Sequence, residues 1–320
     1  ATLVAGAVAS AADASLLANI PRPLVLLVGW DGADHRRVEQ LLRAGRLPSL
    51  ATVVAAGSFS ELRIVDGDNT ATMCSWTTIL TGLPDMIHGT RTNEDYRAAP
   101  QGSTIFERLG ARGLPSVYVA GKCRKKKADG TPGNSGGMCT GTDDEGRPYP
   151  LLHVRGLHPW PLVHHVTNSA LAMERVTDEC LEGLARAEWR GFAFCHYQWP
   201  DRTGHVRGGS SAEYDADVVA LDAELGRLWR AVPLDAAILV ASDHGFECAG
   251  RADEPRSEYV DRIRGTRVEW CFTHAWQPRA ILASSVPLLP HATGRDVFST
   301  VTDLLGAGAS GSPGARSLLP

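Results

Sequence analysis

The stretch PLVLLVGWDGAD, residues 23–34, opens with a run that is apolar on both faces and closes in a polar turn. A short apolar run without strict alternation reads as a strand buried on both sides, as in a parallel sheet covered by helices. The period then changes. Over residues 34–44, Val38, Leu41 and Leu42 fall on one helical face, and Pro48 is expected to stop that helix. The same alternation recurs down the chain. PSVYVAG (115–121), GFAFCHYQ (191–198), AAILVASDHG (236–245) and PRAILAS (278–284) read as strands. Residues 169–186 and 211–229 read as helices, the second with Tyr214, Val218, Leu221, Leu225 and Leu228 on one face. Strands alternating with helices predict an α/β layer fold around a largely parallel sheet.

Composition agrees with a globular chain that has a sizeable core. Of 320 residues, 43% are hydrophobic and 21% charged, which excludes a disordered chain, a collagen-like fibre and a miniature disulfide scaffold. We expect a single domain over 1–320. Residues 122–165, rich in Gly, Pro, Lys and Asp and weak in periodicity, are expected to form a cap or long loop insertion within it. The longest apolar run, 23–30, falls far short of the roughly 20 residues that span a bilayer, so a soluble chain is expected, in either the cytoplasm or an exported state. The opening ATLVAGAVASAADA lacks a basic flank and is not read as a signal peptide. A net charge of −4 offers no broad attraction for duplex nucleic acid. The seven cysteines include no C-x-x-C pair, which removes zinc ribbons and thioredoxin-like motifs. Cys195 is expected to be a small core residue, while Cys123 and Cys139 flank a Gly-rich loop and can pair if the chain is exported. GAGASGSPG near the end is expected to be a flexible tail.

In an open α/β sheet, ligands bind beyond the carboxyl ends of the strands. The residues that follow each apolar run are therefore the informative ones. GWDGAD supplies Asp31, QWPDRTGH supplies Asp201 and His205 at a spacing of four, and SDHG supplies Asp243 and His244. FTHAW, just before the last strand, supplies His274. Carboxylates mixed with imidazoles suit zinc and similar first-row ions. Six such residues exceed one tetrahedral site and fit two ions that share a phosphoryl-transfer centre. Taken singly, each Asp reads more readily as a helix cap and each His as a packed or surface residue; it is their gathering at strand ends that favours ligands. For a nucleophile, NTATMCSWTTILTGLPDMIHG (69–89) offers Thr72, Thr77, Thr78 and Thr81, and spacing alone singles out none of them. His88 reads as structural, and His164 and His165 as cap or surface residues. Trp30, Trp76, Trp199 and Trp276 each lie near a candidate group, as pocket walls or as packing.

WDGAD, PDRTGH, SDHG and THAW, with Thr72 nine residues before Thr81 of TGLPDMIHG, resemble in content and order the motifs of the alkaline phosphatase superfamily. The resemblance is to its type I phosphodiesterase/nucleotide pyrophosphatase branch and to phosphonoacetate hydrolase, and it spans about residues 24–285. It implies an alkaline phosphatase-like three-layer sandwich with a largely parallel central sheet. It implies two divalent metal ions, zinc first, with manganese or iron also suited to such sites. One would be held by Asp31, Thr72, Asp243 and His244, the other by Asp201, His205 and His274. Thr72 would be the nucleophile, passing through a phospho-threonine. Asn93, with the Thr72 backbone N–H, would hold the non-bridging oxygen. Lys122, directly after the strand in YVAGKCRKKK, stands where relatives grip an anionic substrate group, and Arg124 points the same way along an extension of that strand. Departures from the branch are Ala71 where many members carry Lys and Cys74 where Pro is frequent. Threonine at position 72 argues against a sulfatase, and no counterpart of the arginine used by phosphomonoesterases is evident.

The expected function is therefore two-metal hydrolysis of phosphate diesters or phosphoanhydrides, on a small phosphorylated or phosphonate substrate. The alternatives are a phosphomonoesterase or phosphonoacetate hydrolase-like enzyme, a phosphotransferase, and, in a different class, a non-catalytic metal-binding protein.

Overall fold

The computed structural model describes residues 21–64, 70–93, 99–100, 102–121, 139–142, 148–150, 172–247, 258–261, 266–269, 274, 277–308 and 314–320. An inner strand of its main sheet is β1 (Leu24–Trp30), every residue of which is buried. β1 pairs in parallel with β6 (Gly191–Tyr197) on one side and β7 (Ala237–Ala241) on the other. With β2 (Ser58–Arg63), β3 (Ser116–Ala120), β10 (Arg279–Ser284) and β11 (Ala292–Thr293) they form a seven-stranded sheet in the order β11-β2-β10-β7-β1-β6-β3. β10 pairs antiparallel with both β2 and β7, while the other pairings in the sheet are parallel. One strand thus runs against six.

The two faces of β1 enter two different cores. Val25 and Leu27 pack with the helices α3 (Thr72–Thr81), α5 (Ile105–Gly110) and α9 (Gly294–Leu304) through Trp76, Leu80, Phe106 and Phe298. Leu24, Leu26 and Val28 pack on the opposite face with α1 (His35–Arg43), α2 (Pro48–Ala56), α6 (Met173–Arg186) and α8 (Ala212–Ala231) through Val38, Leu50, Leu184 and Leu221. Strand side chains alternate between faces, so a strand apolar at every position needs helices on both sides. The result is the expected α/β sandwich of three layers. Two short helices, α4 (Asp85–His88) and α7 (Asp201–Arg207), complete the described helices.

The structure corrects several readings. Pro48 does not merely stop a helix. α1 ends at Arg43, and Pro48 opens α2, where a missing N–H costs nothing. Asp222 on α8 accepts from Ser49 N and Leu50 N (3.0 and 2.7 Å) and satisfies that helix start. Cys195 is not simply a small core residue, because it forms a disulfide with Cys180 that ties α6 to β6. Of the GAGASGSPG stretch expected to be a flexible tail, residues 309–313 lie outside the described residues; beyond it Leu318 is fully buried, and the Arg316 and Leu318 amides donate to Asp296 and Thr300 of α9. Within 122–165, β4 (Cys139–Thr142) and β5 (Pro148–Pro150) form a two-stranded antiparallel sheet. β8 (Glu258–Asp261) and β9 (Thr266–Glu269) form another. Lys122, Cys123 and Arg124 lie outside the described residues, as do His164, His165 and Trp276.

Candidate active site

Asp31 follows β1 directly and is fully buried. Its backbone N–H donates to Tyr197 O (3.0 Å), and its carbonyl accepts from Asp201 N (2.9 Å), the first residue of α7. Two carboxylates from different strand ends are thereby tied through main chain. Gly32 makes the approach possible. Its φ of +71° is the left-handed conformation that glycine adopts without strain, and a Cβ there would lie 2.8 Å from Asp201 Cβ and 3.3 Å from His244 Cε1. The Gly32 amide donates to Asp243 Oδ1 (3.1 Å), and Tyr214 of α8 donates to the Gly32 carbonyl (2.6 Å).

Two clusters result. In the first, ligand atoms of Asp31, Asp243 and His244 lie within 4.8 Å of one another, and all three side chains are buried. His244 Nε2 is 3.4 Å from Asp31 Oδ1 and 3.3 Å from Asp243 Oδ2. Thr72 is the first residue of α3, fully buried, with its hydroxyl 3.4 Å from Asp31 Oδ1. In the second, Asp201, His205 and His274 meet the same 4.8 Å limit. Asp201 and His205 are one helical turn apart on α7, with His205 Nε2 3.2 Å and His274 Nε2 3.5 Å from Asp201 Oδ1. The His205 side chain is 43% exposed, so this cluster reaches solvent where the first does not. The clusters adjoin, because the His244 and His274 rings stack at 3.7 Å with an interplanar angle of 15°.

The donor set fits divalent cations. Asp243 Oδ2 and His244 Nε2 are completely buried and form no hydrogen bond, a costly state for polar atoms unless something else satisfies them. His244 Nδ1 lies 2.8 Å from Gly245 O and donates to it, which leaves Nε2 as the nitrogen facing the two carboxylates. Charge is crowded as well. Burial and then the Asp31 charge hold the Asp243 carboxyl well above the usual range. Burial alone would lower His244, yet Asp243, Asp31 and Asp201 together raise it to about 9. Cations placed among these carboxylates relieve that repulsion.

Asn93 accepts from Met73 N (3.0 Å) at its Oδ1, which sets its carboxamide at the start of α3 with Nδ2 as the remaining donor. The other threonines are structural. Thr77 and Thr81 donate to the Met73 and Thr77 carbonyls, and Thr78 bonds His88 Nε2 (3.0 Å). Burial and the nearby Arg295 charge lower the pKa of His88 to about 4, so it stays neutral as a packing residue. Trp30 and Trp76 are fully buried and Trp199 half-buried, so the first two act as packing. The sequence reading missed His196. This fully buried imidazole of β6 lies 3.2 Å from Asp31 Oδ2, and the only available signal was a polar residue inside an apolar run.

Residues 25–264 match the family described as Type I phosphodiesterase / nucleotide pyrophosphatase. The chain belongs to that family. As a type I phosphodiesterase/nucleotide pyrophosphatase relative, it is a metal-dependent hydrolase of phosphoric esters. No curated protein sequence matches it at significance. Among solved structures, the fold is similar to murine ectonucleotide pyrophosphatase / phosphodiesterase 5, in an inactive threonine-to-alanine variant in complex with AMP. The identity is 15%, the TM-score 0.63, and the match covers 92% of this chain and 98% of that one. Phosphonoacetate hydrolase from Sinorhizobium meliloti 1021 in complex with phosphonoformate is similar at 15% identity and TM-score 0.55, over 90% and 96% of the two chains. A 2-O GAG sulfatase is similar at 10% identity and TM-score 0.60, over 93% and 74%. For this family member, no helix among the described residues is long and apolar enough to cross a membrane.

Proposed function

We propose that this chain hydrolyses phosphate diesters or phosphoanhydrides of small molecules by way of a phospho-Thr72 intermediate. The observation that carries the reading is the Thr72 hydroxyl. It sits at the first position of a wholly buried helix, 3.4 Å from Asp31 Oδ1, the same oxygen that His244 Nε2 approaches at 3.4 Å. Asp31, Thr72, Asp243 and His244 would hold one divalent ion and Asp201, His205 and His274 a second, with zinc suited to both donor sets. When bound, such ions activate oxygen nucleophiles and counter the charge of the phosphoryl oxygens.

The chain supplies the rest. The Thr72 oxygen bonds to phosphorus as the bond from phosphorus to the leaving oxygen breaks, and the leaving group departs as an alcohol or phosphate. Water then cleaves the Thr72 ester, regenerating the hydroxyl and releasing a phosphate monoester. The N-terminus of α3 favours negative charge in front of it, and the Thr72 N–H and Asn93 Nδ2 donate to the non-bridging oxygen. Lys122 and Arg124 are proposed to bind a substrate anion away from the scissile bond. The inactive threonine-to-alanine variant of the murine neighbour supports the choice of nucleophile.

Matched p-nitrophenyl substrates test the reading: a phosphate diester, a phosphonate monoester, a phosphate monoester and a sulfate. We expect the diester or phosphonate monoester to dominate. Thr72→Ala should lower its turnover by about three orders of magnitude or more while the Asp201, His205 and His274 set, which does not include Thr72, keeps its zinc. Activity that survives Thr72→Ala overturns the covalent route. A dominant phosphate monoester keeps the route and overturns the diester preference.

A further inference from the structure

The β6 strand, GFAFCHY, carries an imidazole where every neighbour is buried. His196 is 0% exposed, and its ring is walled by Trp76 (centroids 5.3 Å apart, edge-on at 83°) and by Phe194 (6.0 Å). Gly29, the residue opposite it in the β1–β6 register, creates this niche. A Cβ on Gly29 would lie 2.8 Å from the Trp76 ring and 2.9 Å from Phe194. The niche opens onto one atom in particular. His196 Nε2 lies 3.2 Å from Asp31 Oδ2, whereas Asp31 Oδ1 is the oxygen that faces Thr72 Oγ1 and His244 Nε2, each at 3.4 Å. The two carboxylate oxygens therefore face different partners.

We propose that His196 is a positioning residue for the first metal cluster. It holds Asp31 Oδ2 from within the core, so that Asp31 presents Oδ1 alone to the ion shared with Asp243, His244 and Thr72. The proposal rests on the two-metal reading and deepens it. A free carboxylate can swing or chelate through both oxygens, and either movement would displace the ligand atom next to the nucleophile. Polar partners behind a metal ligand fix its orientation, and their loss typically weakens metal binding 10- to 100-fold. A buried imidazole in an apolar niche is unfavourable unless a polar group lies against it, and Asp31 Oδ2, at an ion-pair distance of 3.2 Å, is such a group.

The test compares His196→Gln with His196→Met, side chains of nearly equal length that differ in keeping or losing an N–H donor. Zinc affinity is read by competition with a chromogenic chelator, alongside the thermal midpoint of the stripped proteins. We expect His196→Gln to bind the tighter zinc within about threefold of wild type and His196→Met to lose roughly 10- to 100-fold, with similar stripped-state midpoints. Equal zinc affinity in the two variants overturns the role of His196 alone. A wild-type chain that binds no zinc overturns the two-metal reading and this proposal with it. Wild-type protein loaded with 113Cd and labelled with 15N gives an independent reading, free of any folding defect in a variant. Coupling to cadmium is expected at His205, His244 and His274, and coupling at His196 would make it a ligand and overturn the positioning role.

Discussion

Gly32 lies between the two clusters. It turns the chain directly after Asp31, donates to Asp243 Oδ1 and passes within contact of Asp201 and His244. A methyl group there has nowhere to go, since its nearest neighbours at 2.8 and 3.0 Å are Cβ and Cα of Asp201, the latter part of the main chain. Gly32→Ala also forces alanine into a positive φ. We expect it to destabilise the protein by on the order of 1–3 kcal/mol and to lower zinc content below two equivalents, read by thermal melting and metal analysis. Full zinc content with an unchanged melting point would show that the clusters do not depend on this turn. At this scale most of the site was legible. Asp31, Asp201, His205, Asp243 and His244 each follow an apolar run, and that pattern is local. His196 was not, because it lies within a run and its partner is 165 residues away in sequence.

At the scale of elements, strand direction decides what meets what. His274 precedes its strand, whereas the other candidates follow theirs. A parallel β10 would have carried His274 to the far edge of the sheet. Because β10 runs antiparallel to β7, its leading end lies at the carboxyl edge, where the His274 ring stacks on His244. Thr70, two residues before Thr72, donates to the His274 carbonyl (3.0 Å) and joins the start of the Thr72 helix to that loop. The disulfide acts between elements too. It closes a separation of 15 residues and fastens α6 to the strand that holds His196, with the two Cα atoms 6.1 Å apart. Loop-closure arguments give roughly 3 kcal/mol for a loop of that length. We expect Cys180→Ala/Cys195→Ala to lower the unfolding free energy in denaturant by about that amount, with the two candidate clusters unaltered. A change below about 0.5 kcal/mol would mean that packing of α6, with Val176 and Leu184 buried, carries the load by itself.

Across the molecule, the fold brings three buried carboxylates, Asp31, Asp201 and Asp243, to one edge of a sheet packed on both faces by apolar side chains. Mutual repulsion there opposes folding unless cations are bound, so metal loading and stability are linked. An ion that binds only the folded chain at a thousand times its dissociation constant adds about 4 kcal/mol. We expect stripping with chelator to lower the thermal midpoint by roughly 10 °C, and zinc to restore it. Identical midpoints for stripped and loaded protein would remove metal binding from the account of this edge. What the sequence determined by itself was the α/β class, the strands that form the middle of the sheet, and the residues that stand at their ends, because hydrophobic period and the punctuation after it are properties of neighbouring residues. The tertiary structure alone decided the reversed direction of β10, the Cys180–Cys195 bond, the contact of His196 with Asp31 and the demand for glycine at position 32. Each of these depends on which distant segments become neighbours, and strand order and register are settled by packing the whole sheet between its two helical layers.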